Sequence, residues 1–250
     1  MIEYLSFELS YSDCLIIVAV AMLVGMAKTG IHGTGMIAVP MLALVFGGKA
    51  SSGIMLIILS IADIFAIIYY SRHASKTHLK RLLPWAMVGV VIGTLIGEMI
   101  NDRQFRMIMG FIIIISLVIM VMLERKKSRV LPEGIWFAAL LGVLGGITTM
   151  VGNLAGSVMA VYLLTMRLPK NEYIGTAAWF FAIINWIKIP FHVFIWKTIT
   201  LQTFLLDISL IPFVALGAVS GFYLVKRIAD RKYRWFIILM TFVAALFMIL

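Results

Sequence analysis

This 250-residue chain is poor in cysteine and in charge: one cysteine, Cys14, and 11 Asp+Glu against 21 Lys+Arg, within a charged fraction of only 13%. A lone cysteine forms no internal bridge, which excludes a secreted disulfide scaffold. So few charges also exclude a disordered chain. With 63% apolar residues and a mean hydropathy of +1.08, there is too little polar surface to cover a soluble globule, whose sequence is nearer half apolar. Lys and Arg are missing altogether before Lys28, so the basic first region of a cleavable signal peptide is absent and the mature chain is expected to start at Met1. Catalytic spacings are missing too. Ala27-Lys28-Thr29 lacks the glycines of a P-loop, and neither H-E-x-x-H nor G-x-S-x-G occurs. Four histidines scattered over loops and spans suggest no metal site, and no cofactor or enzymatic activity is expected.

What the chain does have is long apolar runs. Six of them suit a membrane helix of roughly 17 to 25 residues: Ser51–Tyr70, Leu82–Ile100, Phe105–Leu123, Tyr173–Ile195, Phe204–Val225 and Arg234–Leu250. Two others do not. Cys14–Phe46 as one straight helix would be about 50 Å long, against a hydrocarbon core of about 30 Å. That stretch and Gly134–Met166 are each interrupted by glycines, at Lys28–Gly35 (KTGIHGTG) and Gly145–Gly156 (GGITTMVGNLAG), and each reads as two helices joined at a break.

The net charge of +10 would suggest a nucleic-acid partner in a soluble domain, but here the basic residues sit between apolar runs, as in cytoplasmic loops. The loops Arg72–Arg81, Glu124–Arg129 and Lys226–Arg234 all become cytoplasmic if each broken stretch enters and returns to the same side. Both termini then lie outside, with Arg103 and Arg106 as a mild violation. The hairpins are either re-entrant or two short spans.

The two halves also align. At an offset of 128, Pro84, Gly89, Gly93, Asp102, Arg103 and Arg106 fall on Pro212, Gly217, Gly221, Asp230, Arg231 and Arg234. Upstream the offset becomes 122, pairing Gly53 with Gly175 and Asp63 with Asn185, and then 117, pairing Gly35 with Gly152. The reading is an all-α polytopic membrane protein: a first repeat over 1–123, a cytoplasmic linker over 124–134 and a second repeat over 135–250. Each repeat is a broken helical hairpin plus three transmembrane helices, an odd number of crossings, so the second half is inverted relative to the first. Substrate in that plan binds near the midplane, where interrupted helices leave backbone groups free. The paired glycines Gly89/Gly93 and Gly217/Gly221 read chiefly as close helix packing.

Candidate site residues therefore cluster at the hairpin tips and one facing span. On the first tip stand Lys28, Thr29, Gly30, His32, Gly33 and Gly35; a lysine at membrane depth marks a pathway or an ion pair, unless it snorkels to the surface. On the second stand Thr149, Gly152, Asn153 and Gly156, with Thr148 and Ser157 beside them, although single hydroxyls in membrane helices more often bond their own backbone. Asn185 and Lys188 share one helix face at i and i+3, two residues before the helix-loosening Pro190. They form an anion seat or a structural pair with a carboxylate such as Asp63, which is also the coupling candidate. His73 and His78 are expected to be solvated.

The segments Gly25–Leu42 (GMAKTGIHGTGMIAVPML) and Gly146–Pro190 (GITTMVGNLAGSVMAVYLLTMRLPKNEYIGTAAWFFAIINWIKIP) resemble the sulfite exporter TauE/SafE family, also grouped as toluene-sulfonate uptake permeases. Ser157 departs from the proline common in relatives. The resemblance implies a secondary transporter of the bacterial inner membrane, moving sulfite, a sulfonate or a related organosulfur anion, with the lipid bilayer and a small anion as its partners. An anion channel and a non-transport membrane assembly factor are the alternatives.

Overall fold

The computed structural model describes residues 2–4, 7–31, 34–99 and 134–249, together with isolated positions between 101 and 122. The chain starts with a short antiparallel strand pair, β1 (Ile2–Tyr4) and β2 (Phe7–Leu9), in register Ile2 to Leu9 and Tyr4 to Phe7. Helices follow: α1 (Tyr11–Lys28), α2 (Thr34–Phe46), α3 (Gly48–Tyr70) and α4 (Lys76–Met99). The second half contributes α5 (Ile135–Gly152), α6 (Ala155–Thr165), α7 (Lys170–Pro190), α8 (Leu201–Ser209), α9 (Ile211–Lys226) and α10 (Asp230–Ile249). The fold is all-α apart from the strand pair. Most of the predicted span Phe105–Leu123, Arg103 and Arg106, and the basic stretch Glu124–Arg129 lie outside the described residues.

Both over-long stretches are indeed broken. α1 opens on a reciprocal cap, with the Asp13 amide donating to Ser10 Oγ and the Ser10 amide to Asp13 Oδ2, and runs 18 residues, about 27 Å. It ends because Gly30 takes φ +126°, a conformation that costs glycine nothing. α5, also 18 residues, ends on Asn153 at φ 55°, a left-handed cap that asparagine tolerates. The returning helices α2 and α6 have 13 and 11 residues, about 20 and 17 Å. Each hairpin thus pairs a limb near membrane length with one too short to cross a 30 Å core unaided.

Two boundaries differ from the sequence reading. The apolar run Phe204–Val225 is not one straight span but α8 and α9, bent by 48° around Leu210, with Pro212 in the first turn of α9. Most of the basic loop Arg72–Arg81 is helical, the first turns of α4, so that only residues 71–75 connect α3 to α4. α7 continues into a wide π-type turn over Phe191–Ile195 just after Pro190. His78 is also not fully solvated: its ring Nδ1 lies 2.9 Å from the Tyr162 hydroxyl.

The halves are bound by matched contacts. α1 packs on α9 and α4 on α5. Gly25 lies against the Val214 carbonyl and the Ala218 amide, and Gly146 against the Ala86 carbonyl and the Val90 amide. Gly217 meets Met22 and Gly221 meets Met26, while Gly89 meets Val143 and Gly93 meets Ile147. A Cβ at any of these glycines except Gly93 would collide with backbone; at Gly93 it would meet the Met150 Cβ. These contacts set α1 and α5 in register at an offset of 121, pairing Gly35 with Gly156, rather than the 117 that paired it with Gly152. α3 and α7 pack together as well, with Gly53 under Thr198 beyond the end of α7 and Gly175 under Tyr70 at the end of α3.

Large apolar side chains cover the outside. Leu44, Ile68, Leu95, Trp136, Leu216 and Leu239 are all more than half exposed, a surface suited to lipid rather than water.

Candidate functional site

Between the hairpin tips and α7 lies a small cavity of about 60 Å3, room for a few water molecules or a small anion. From the first hairpin come Ala27, Lys28 and Gly35; from the second, Thr149, Asn153 and Gly156. α3 adds Leu59, and α7 adds Ala177, Ala178, Phe181 and Asn185. Small residues open the space, and four polar side chains converge on an otherwise apolar wall.

Two lysines flank this cavity in different company. Lys28 Nζ stands 2.7 Å from Asp63 Oδ1 and 4.3 Å from the centre of the Phe181 ring. The other oxygen of Asp63 accepts from Asn185 Nδ2 at 2.7 Å, which fixes the Asn185 amide and leaves its Oδ1 without a donor among the described residues. Lys188 is fully buried, yet its ammonium donates only to neutral oxygens: Thr149 Oγ1 at 3.1 Å and Asn153 Oδ1 at 2.5 Å. No carboxylate pairs with it among the described residues. The buried cluster therefore sets two lysine amines against one carboxylate. A buried amine without a carboxylate is charged only at a cost of several kcal/mol, a cost that a bound anion would offset.

The tips are held by side-chain bonds that cross the molecule. Asn153 Nδ2 donates to the Ser52 carbonyl at 2.9 Å, tying the second tip to α3. Tyr233 on α10 donates to the Gly30 carbonyl at 2.7 Å, tying the first tip to the C-terminal helix.

Six of the residues expected at the site line the cavity: Lys28, Gly35, Thr149, Asn153, Gly156 and Asn185. Asp63 and Lys188 stand directly behind them. Thr29 and Gly30 are placed elsewhere. Thr29 Oγ1 donates back to the Gly25 carbonyl at 3.1 Å and faces Gly221, while Gly30 packs against Val225 and Ile174. Gly152 is the buried last residue of α5 and does not line the space. His32 and Gly33 lie outside the described residues. The neighbouring hydroxyls of Thr148 and Ser157 donate to the Gly145 and Leu154 carbonyls of their own segments.

Two participants were not singled out from sequence. Phe181 passes for packing material, although it shares a face with Asn185 and Lys188 at i, i+4 and i+7. His192, one turn beyond Lys188, is fully buried. Its Nδ1 lies 2.8 Å from Thr198 Oγ1 and its Nε2 has no partner among the described residues. The four-residue step from Lys188 was the available signal. Among the described residues no cluster of His, Cys, Asp or Glu could hold a metal ion.

A family model described as Sulfite exporter TauE/SafE matches residues 17–248, nearly the whole chain and both hairpins. No curated protein and no solved structure shows a significant match. With five helices among the described residues long and apolar enough to cross a membrane, and a sixth such span if α8 and α9 count as one, the match and the fold agree. The chain belongs to the sulfite exporter TauE/SafE family of membrane transporters.

Proposed function

We propose that the protein is a secondary carrier for a small sulfur oxyanion, sulfite or an organosulfonate, which it moves across the bacterial inner membrane by alternating access. The observation that carries this reading is Lys188: a fully buried amine beside the cavity, held by two neutral oxygens and lacking a carboxylate among the described residues. An oxyanion in the cavity would complete its coordination. Lys28, Thr149, Asn153, Asn185 and the open backbone at Gly35 and Gly156 would contribute the remaining donors. Ala27, Ala177 and Phe181 suit the apolar body of a sulfonate.

The matched glycine contacts support a pseudo-symmetric pair of halves, and cytoplasmic placement of the basic stretches makes the second half inverted with both termini outside. In such a carrier α1 and α9 would rock against α4 and α5 around the cavity. An inside-negative potential suffices for export of an anion, at about 2.3 kcal/mol per charge per 100 mV. Uptake would need a coupled cation, and Asp63, the one carboxylate in the cluster, is the residue to carry a proton.

The test is the thermal stability of the purified protein with sulfite, thiosulfate, taurine, sulfate, phosphate and acetate, since a ligand that binds the folded state raises its apparent stability. Selective stabilisation by a sulfur oxyanion is expected; an equal response to acetate or no response to any of them would refute the substrate class. Saturable, counter-transport-stimulated flux in liposomes separates a carrier from a channel, and flux by the purified protein alone excludes an assembly factor.

A further inference from the structure

A second pocket opens beside the start of the chain, where β2 meets the connection from α7 to α8. It is framed by Phe7, Lys49, Lys197, Thr198, Thr200 and Thr203, with a volume of about 460 Å3. Both lysines are exposed, and the acidic residues near in sequence, Glu3, Glu8 and Asp207, are not among its lining residues.

The pocket is built on a fixed frame. Trp196, buried between α7 and this loop, donates from its indole nitrogen to the Thr94 carbonyl at 3.2 Å and lies flush against Gly97, where a side chain would collide with its ring. Lys49 Nζ sits over that indole, 5.6 Å from the ring centre. Lys197 takes φ 52°, a left-handed conformation that glycine or asparagine adopts at lower cost. A lysine at such a position spends backbone energy to present an ammonium at that spot, and strain of this kind concentrates at working sites.

Two polar connections run from this pocket to the central cavity. Along α7, Thr198 on the pocket wall meets His192 Nδ1 at 2.8 Å, His192 follows Lys188 by one helical turn, and Lys188 holds Thr149 and Asn153 on the cavity wall. Along α3, Asn153 Nδ2 reaches the Ser52 carbonyl at 2.9 Å, and Ser52 Oγ donates to the carbonyl of Lys49 at 2.7 Å. The unpartnered His192 Nε2 is buried on this route, and a passing oxyanion bearing a proton, or its hydration water, would satisfy it. At the matching positions of the first half, offset by 122, Ala66 stands for Lys188 and Tyr70 for His192, so the route has no basic counterpart there.

We propose that this pocket is a second anion site, an antechamber in which Lys49 and Lys197 hold a small sulfur oxyanion before it passes His192 to the central cavity. The assignment rests on the carrier reading above. On that topology the pocket faces the outside, the side of the N-terminus, and collects or releases the anion there. The shared chemistry, a singly or doubly charged oxyanion against two ammonium groups, would also suit a phospholipid headgroup, and the experiment separates the two.

Sodium sulfite is titrated calorimetrically into the full-length protein in a neutral maltoside detergent. The wild type is expected to bind at two sites per chain. Combined Lys49→Gln and Lys197→Gln substitution weakens one site by roughly tenfold, the sum of two exposed charge interactions, and leaves the other. Lys188→Ala removes the second and leaves the first. The Lys49→Arg/Lys197→Arg protein keeps both, which controls for folding. A glutamine protein that titrates like the wild type overturns the antechamber while leaving the central site standing. A wild type with one site, lost on Lys49/Lys197 substitution and insensitive to Lys188→Ala, refutes the central seat and keeps the outer pocket. Absence of sulfite binding refutes both. If short-chain phosphatidylglycerol binds the pocket and sulfite does not displace it, the pocket is a lipid site and the proposal fails.

Discussion

The two halves place different chemistry at equivalent positions around one cavity. In the first half Asp63 neutralises Lys28; at the matching positions of the second half stand Asn185 and Thr149, which are neutral. The second half then adds Lys188 where the first has Ala66. One side is a closed ion pair and the other an open cation, although the helices around them pack through the same glycine contacts. Similar glycine packing on both sides supplies the geometry, and the different residues at Asp63, Asn185 and Lys188 make the site polarised. A fully symmetric site would have paired both lysines with carboxylates or neither.

The sharpest way to break this contrast is to remove the open cation. Lys188→Ala is expected to abolish sulfite-dependent stabilisation and sulfite counterflow, a loss of at least about 100-fold when a hydrogen-bonded charge is deleted from a buried site. Its folding should survive, because a cation lacking a carboxylate stabilises little, and Lys188→Met should melt no lower than the wild type. A Lys188→Ala protein with wild-type flux would put the anion elsewhere. Opening the closed pair should act on stability first. Asp63→Asn strands Lys28 and is expected to cost about 3–5 kcal/mol, read as a lowered midpoint of thermal unfolding, with the combined Lys28→Met/Asp63→Asn protein recovering much of it. An unchanged midpoint for Asp63→Asn alone would show that the pair is dispensable.

The shared scaffold can be probed at matched positions. Gly25→Ala and Gly146→Ala each push a Cβ onto a facing backbone carbonyl and should destabilise by similar amounts, about 1–3 kcal/mol, in parallel unfolding measurements. Widely different losses would mean that the two interfaces are not equivalent. The smallest effect separates two threonines that look alike in sequence. Thr149→Val removes an oxygen that accepts from Lys188 and should weaken sulfite binding by about fivefold, roughly 1 kcal/mol, whereas Thr29→Val, whose hydroxyl bonds its own helix, should leave the affinity unchanged.

Much of this was legible before any coordinates. Apolar run length against membrane thickness marks the spans and shows that Cys14–Phe46 and Gly134–Met166 must break, and Gly30 and Asn153 are where α1 and α5 end. The face shared by Asn185 and Lys188 follows from helical spacing. The direction of the Thr29 hydroxyl did not, because a threonine on a membrane helix reads the same whether it faces a cavity or its own carbonyl. Nor did the bend at Leu210, since Pro84 sits in the matching position of an unbroken α4. The part played by Phe181 was hidden by its ordinary composition: one of sixteen phenylalanines, it differs only in facing Lys28.

By itself, then, the sequence determined an all-helical membrane chain with two broken hairpins, because hydrophobicity and backbone hydrogen bonding in lipid leave no other way to bury such runs. Only the tertiary structure decided which lysine is neutralised. Lys28 and Asp63 lie on different helices, as do Lys188 and Asn153, and one-dimensional spacing carries no information on which cation meets a carboxylate and which meets only neutral oxygens.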